Sequence, residues 1–318
     1  RRLADRGAFM ESRTTVQPVI VSVGGGKGGV GKSTVASNIG SVLASQGHSV
    51  GFVDADLGGA NLHQYLGVRR PTVGLQHYLM GRLGSIEEAR GPTEVPGTWL
   101  VSGASDVPEL ANAGFLRKRK IIRSIAGMNA EYIFVDLGAG TSNHVADFYA
   151  AFPYAIIVTD GLPASIENAY GYLKNGIVRG LTRLFPGRRN IQSLIMRLGA
   201  AADNGHRRFA STDDMLQEAC REYPAEARQM KEWLRTRRTF LVMNMVRSRE
   251  DIQRGKNLDV IAGKYLGVRV TYIGYIAASP DVVGSLRRAK PVVCDNPSSQ
   301  ASGCFTAVAA NFRTLTQG

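Results

Sequence analysis

The chain has 318 residues, 44% hydrophobic and 20% charged, the balance of a globular protein with room for one large α/β domain or two small ones. Apolar runs stay well short of the ~20 residues that cross a bilayer, and three cysteines, none in a C-x-x-C pair, argue against a disulfide framework and a cysteine zinc site. The formal net charge of +13 predicts affinity for an anionic partner, non-specific nucleic acid or an acidic membrane surface, without choosing between them.

In chain order, residues 1–17 read as a flexible N-terminal extension and 18–318 as a single domain. The chain is expected in the cytoplasm, with peripheral contact at the inner membrane as a variant of that expectation. Strands are predicted at Val19–Val23, Val50–Val53, Trp99–Val101, Tyr132–Leu137, Ala155–Thr159, Phe240–Met245 and Val270–Ile276. Several are apolar on both faces, as a parallel sheet buried under helices requires. Helical patterns fall between them at Ser33–Ser45, Pro108–Ala126, Ile166–Leu184 and Asp251–Leu266, and a last one at Ser298–Leu315. The alternation predicts a doubly wound, mostly parallel α/β fold. From 186 to 238 no strand is convincing. A helical insertion, broken near Pro224, is expected there and is a candidate partner surface.

The stretch "GGGKGGVGKSTVASNIG" (24–40) holds seven glycines and two lysines between a strand and a helix. Residues 26–33 fit G-x-x-x-x-G-K-[ST], the P-loop. Gly26, Gly28, Gly29 and Gly31 let the backbone around Lys27 and Val30 curl, so that N–H groups point at phosphate oxygens. Lys32 is placed to reach the β- and γ-phosphates, Ser33 to hold Mg²⁺, and Thr34 to touch the α-phosphate. ATP or ADP with Mg²⁺ is the expected ligand. In "GFVDADLGGANLHQYLG" (51–67), Asp54 and Asp56 point to the same side at strand spacing. A plain strand end is the other reading. "YIFVDLGAG" (132–140) is an apolar strand that ends in Asp136 and then glycines.

"KGGVGKST" (27–34) resembles the deviant Walker A motif of the MinD/ParA ATPases, and "VDADLGGANLHQYLG" is similar to the D-x-D switch of the FlhG/FleN flagellar-number regulators within that family. The resemblance extends over about 19–186 and 240–312. It implies that Lys27 reaches across a dimer interface to the nucleotide of the other subunit, making ATP the glue of a homodimer. It implies that Asp56 orients the attacking water, and that Ser33, Asp54 and Asp136 serve Mg²⁺, Asp54 through water. It further implies that Asn244, in "LVMNMVRS", hydrogen-bonds the adenine edge, with Pro280 and Asp281 beside the base. A buried turn-forming Asn is the alternative for Asn244. The implied activity is slow, Mg-dependent ATP hydrolysis that times a dimerisation switch for spatial positioning, with an unnamed protein partner. A ParA-like partition ATPase, binding DNA non-specifically as an ATP dimer, is the alternative. Iron–sulfur relatives need a bridging cysteine pair, which Cys294 and Cys304 do not form, so no cluster is expected. In "FLRKRKIIRS" (115–124), Leu116, Ile121, Ile122 and Ile125 are expected to face the sheet. Arg117, Lys118, Arg119 and Lys120 are expected to face out, as a solvated helix face or a contact for phosphates.

Overall fold

The computed structural model describes residues 17–104, 115–199 and 208–317. The proposed extension therefore lies almost wholly outside the described residues, as do the first residues of the helix expected at 108–126. Eight strands form one sheet: β1 (Val19–Gly24), β2 (Val50–Asp54), β3 (Gly91–Pro92), β4 (Thr98–Val101), β5 (Tyr132–Asp136), β6 (Tyr154–Thr159), β7 (Arg238–Val246) and β8 (Val270–Ala277). Their order is β3-β4-β2-β5-β1-β6-β7-β8. All neighbours are parallel except the two-residue β3, which runs antiparallel to β4. The doubly wound α/β fold is thus the observed one. Strand order reverses around β1, and in such sheets the crevice beyond the strands' C-terminal ends is where ligands bind.

Both faces of the sheet are buried because side chains alternate across it. On one face Val21, Val23, Phe52, Phe134, Ile156 and Phe240 pack under helices α1 (Lys32–Ser45) and α13 (Gln300–Gln317). There Phe134 and Phe240 lie 5.9 and 5.4 Å, centroid to centroid, from Phe312 of α13. The other face carries Ile20, Ile133, Val135, Ile157, Leu241 and Met243. It is covered by α4 (Phe115–Ala126), α5 (Asn143–Ala151), α6 (Pro163–Leu184) and α10 (Arg249–Leu266). Short helices α2 (Leu62–Tyr65) and α3 (Leu75–Leu79) follow β2, and α11 (Pro280–Arg287) and α12 (Val292–Asp295) follow β8.

Between β6 and β7 the chain makes α7 (Arg189–Gly199), α8 (Thr212–Glu222) and α9 (Pro224–Arg235). Pro224 is the first residue of α9, where its missing N–H costs nothing, and Tyr223 forms the break. Ser211 starts α8 with a capping box to Asp214. Ile191, Ile195, Met215, Met230 and Leu234 of these helices belong to the same buried cluster as Ile157 and Leu241 of the sheet. The insertion is therefore part of the core.

The basic helix α4 differs from expectation. Ile121, Ile122 and Ile125 are buried as predicted, while Leu116 lies among side chains outside the described set. Lys118, however, turns to Asp147 of α5, at 3.5 Å, and shares that buried carboxylate with Arg179 and Arg183 of α6 at 2.6 and 3.4 Å. Lys120 sits 4.1 Å above the Tyr78 ring and donates to the Tyr78 carbonyl at 3.3 Å. The buried Asp147 carboxylate draws the Lys118 ammonium inward, while Lys120 stays exposed beside the ring. Not all four cations of this cluster face outward.

Candidate nucleotide-binding site

β1 delivers the chain to a loop that ends where α1 begins at Lys32. Gly31 caps α1 with φ of 87°, in the left-handed region, and no described side chain caps the helix. The helix N-terminus is thereby left with N–H groups and a positive dipole end for an anion. A Cβ on Gly31 would stand 2.2 Å from Asn244 Nδ2, and one on Gly26 2.1 Å from the Asn168 carbonyl oxygen of α6. The loop is curled tightly against its neighbours, and only glycine fits at these two points.

A cavity of about 750 Å³ opens over the loop. One end is lined by Gly28, Gly29, Gly31, Lys32, Ser33 and Thr34 with Asp56 and Asp136. The other end is lined by Asn244, Met245, Arg247, Ala277, Pro280, Val283 and Leu286. A polar cradle thus meets a largely apolar slot, the shape a nucleotide needs for phosphates and base.

Lys32 is buried, and its ammonium reaches the Lys27 carbonyl at 3.4 Å. Burial lowers its pKa, and the nearby Asp136 and Asp56 push it back up. Ser33 Oγ donates to Asp136 Oδ2 at 2.5 Å, with Asn61 Oδ1 3.3 Å away. Asp136 Oδ1 is buried without a partner among the described residues. Burial raises the Asp136 carboxyl to about 7, against the opposing pull of Ser33 and Lys32. These features fit a divalent cation. The orphaned oxygen would be satisfied, and the positive charge would hold the carboxylate ionised. Among the described residues no group of three or more His, Cys, Asp or Glu could hold a metal by itself. The remaining ligands would be phosphate and water oxygens, which is the habit of Mg²⁺.

The other predicted residues fall at different depths. Asp56 lines the cavity, close enough to Gly138 that a Cβ there would lie 2.9 Å from its Oδ1. Asp54 does not line it. It is paired in register with Asp136, and its oxygens accept from the Asp56 and Leu62 N–H groups at 3.1 and 3.0 Å. Burial, and then Asp136, raise its pKa well above the carboxylate range. Its visible work is to fold the 55–61 loop so that Asp56 and Asn61 face the phosphate end. Lys27 also lies off the cavity wall, with its ammonium on Ser165 Oγ of α6 at 3.4 Å. Gly26 and Val30 shape the loop from behind.

Asn244 owes its place to a β-bulge. Met243 and Val246 of β7 oppose Tyr275 and Ala277 of β8, so β7 carries one extra residue there, and Met245 takes φ of 54°. Asn244 Nδ2 donates to the Val30 carbonyl at 2.9 Å, which ties the loop to the sheet. Pro280 lines the slot. Asp281 does not; it is held by Ser279 and Asn296 at 3.1 and 3.2 Å. The sequence reading missed Asn61, Tyr65, Met245, Arg247, Val283 and Leu286. Asn61 and Tyr65 lie in the switch stretch and Met245 and Arg247 in "LVMNMVRS", both already singled out, and Val283 and Leu286 follow Pro280 and Asp281 in the same helix.

Residues 16–169 match the family described as "ParA: NUBPL iron-transfer P-loop NTPase". In fold the chain is similar to the septum site-determining protein MinD of Pyrococcus horikoshii, solved with Mg-ADP: TM-score 0.62, 20% identity, covering 93% of this chain and 96% of that one. Over residues 16–169 the chain is similar to the ParA/MinD family of P-loop NTPases. It is similar to the antiactivator FleN of Pseudomonas aeruginosa, 31% identical over 169 residues, 52% of this chain and 59% of FleN. It is similar also to the flagellum site-determining protein YlxH of Helicobacter pylori, 33% identical over 161 residues, 48% of this chain and 52% of that protein. These alignments span little more than half the length of either relative. No described helix of this ParA/MinD-type chain is long and apolar enough to cross a membrane.

Proposed function

We propose that this chain is a Mg-dependent ATPase of the FlhG/FleN type whose ATP-bound form is a homodimer, acting as a switch that positions a cellular structure through a protein partner. One observation carries the reading. Among the described residues Lys32 is the only lysine lining the cavity, whereas Lys27 of the same loop is held on Ser165, off the wall. A triphosphate would then gain its second lysine from another copy of the chain. The Mg-ADP in the horikoshii MinD structure supports the nucleotide, and the likeness to the flagellum site-determining protein YlxH supports the positioning role.

Within one subunit, Lys32 and the α1 N-terminus bind the phosphates, and Ser33 with Asp136 would hold Mg²⁺. The cation, when bound, neutralises charge that develops on the phosphate oxygens. Asp56, fixed by the loop that Asp54 ties down, orients a water for in-line attack. Gly138 leaves room for that carboxylate.

Light scattering with ADP and with ATP tests the proposal. The expected result is a doubling of mass with ATP that persists in Asp56→Ala and disappears in Lys27→Ala. An unchanged mass with ATP, in protein that demonstrably binds it, would sink the switch. The net charge of +13 favours a second reading, ATP-dependent binding to non-specific DNA. Retention on DNA that appears only with ATP and falls steeply with salt would select it.

A further inference from the structure

At the other end of the strands from the nucleotide, a second cavity of about 500 Å³ lies at the N-terminal ends of β7 and β8. Its wall includes Arg235, Arg237, Arg238 and Arg269, against a single described carboxylate, Asp259. Arg235 is paired with Glu232 at 2.9 Å, and Asp259 accepts from the Val270 N–H at 3.1 Å. Arg237 donates from one terminal nitrogen to the Ala150 and Phe152 carbonyls, at 3.3 and 2.7 Å, while its Nε is buried without a partner among the described residues. Arg238 and Arg269 have no side-chain partner among the described residues. They are neighbours by register, since Thr239 of β7 pairs with Val270 of β8. Adjacent strands are ~4.8 Å apart, so the two exposed arginines leave neighbouring backbone positions and both line the cavity. The remaining wall is partly apolar, from Phe240, Tyr272 and Leu315.

We infer that this cavity is a second ligand site, which takes the phosphate group of a small phosphomonoester between Arg238 and Arg269, with the ligand's apolar body against Phe240, Tyr272 and Leu315. A guanidinium presents a planar fork that matches a phosphate's oxygens two at a time. A dianionic phosphate has oxygens enough to engage both forks. The volume is that of a small-molecule site. Burial lowers the pKa of Arg237. The inference stands independently of the ATPase reading, because the two sites share no residue.

Titration calorimetry with phenyl phosphate, at constant ionic strength and with the protein saturated with Mg-ADP, tests it. One saturable site is expected, retained in Lys32→Ala. Arg238→Gln and Arg269→Gln should each weaken it about tenfold while leaving ADP affinity unchanged. No saturable heat, or binding that falls with Lys32→Ala and ignores the arginines, would overturn the inference. If duplex DNA or phosphatidylglycerol vesicles bind through Arg238 and Arg269 while phenyl phosphate does not, the site is a patch for a polyanionic surface and the small-ligand inference fails. Inorganic phosphate binding as tightly as phenyl phosphate would remove the role given to the apolar wall.

Discussion

Asn244 and Gly31 meet across the cavity floor, and their contact is as consequential as any charged group. The Asn244 amide grips the Val30 carbonyl, and Gly31 leaves the space it needs. Gly31→Ala would force a Cβ to 2.2 Å from Asn244 Nδ2 at a φ of 87°. A loss of about 1–3 kcal/mol in stability, with weakened ADP binding, is expected from thermal melts and a fluorescent-nucleotide titration. Unchanged melting and affinity would mean that the clamp yields freely. Asp136 has the opposite character, because burial disfavours its charged form. Its carboxyl lies at about 7 when folded against 3.8 as the reference value, so the folded chain binds more protons between those values. Stability of the metal-free protein should therefore fall as pH rises from about 4 towards 7. Asp136→Asn should flatten that fall in melts across this range, and should abolish the extra stabilisation that Mg²⁺ adds to ADP. Within the P-loop, Lys32 and Ser33 stand where a strand–loop–helix places them, so their positions follow from the motif. Asp54 is different, because two backbone amides claim its oxygens, and no spacing rule says which of two aspartates turns inward.

Helix ends carry the next set of consequences. Ser248 begins α10 directly after the cavity residue Arg247, and its capping box with Asp251 satisfies N–H groups that α10 would otherwise leave open. Ser248→Ala should cost about 1 kcal/mol in denaturant unfolding, with little change in the phosphate end of the site. Asp295, on α12, is held at about 2 by Arg288 and Ser285, and so joins α12 to the end of α11 beside the base slot. Its folded pKa is depressed, so its contribution is present above 3.8 and is lost as pH falls through about 2. Asp295→Asn should lower the stability at pH 6 and narrow that difference on acidification, in melts run from pH 6 to 2. The long elements were legible because apolar periodicity and boundary residues agreed. The short α2, α3, α11 and α12 span too few turns to show a period, and β3 is two residues that pair only because β4 lies beside them. α5 was hidden because most of its residues are buried, which blurs the polar face that marks a surface helix.

The whole molecule unfolds as one unit if the insertion is as deeply packed as Met230, Ile195 and Met215 indicate, each fully buried in the cluster that contains the sheet. Met230→Ala should cost about 2–5 kcal/mol and shift a single transition measured by both circular dichroism and tryptophan fluorescence. Two separate transitions would mark α7–α9 as an independent module. A partner surface on the insertion is accordingly better sought by substituting exposed Met196 than by deletion, which would open the core. The amino-acid sequence by itself determined the sheet's long strands, the phosphate loop and the acids that follow it, because each is encoded within a few consecutive residues by period, glycine and charge. Only the tertiary structure decided which side chains line the base slot, that Lys27 leaves its own cavity, that Lys118 is drawn to Asp147, and that Arg238 and Arg269 become neighbours. Those facts depend on strands and helices far apart in the chain meeting in one register, and no local pattern carries that information.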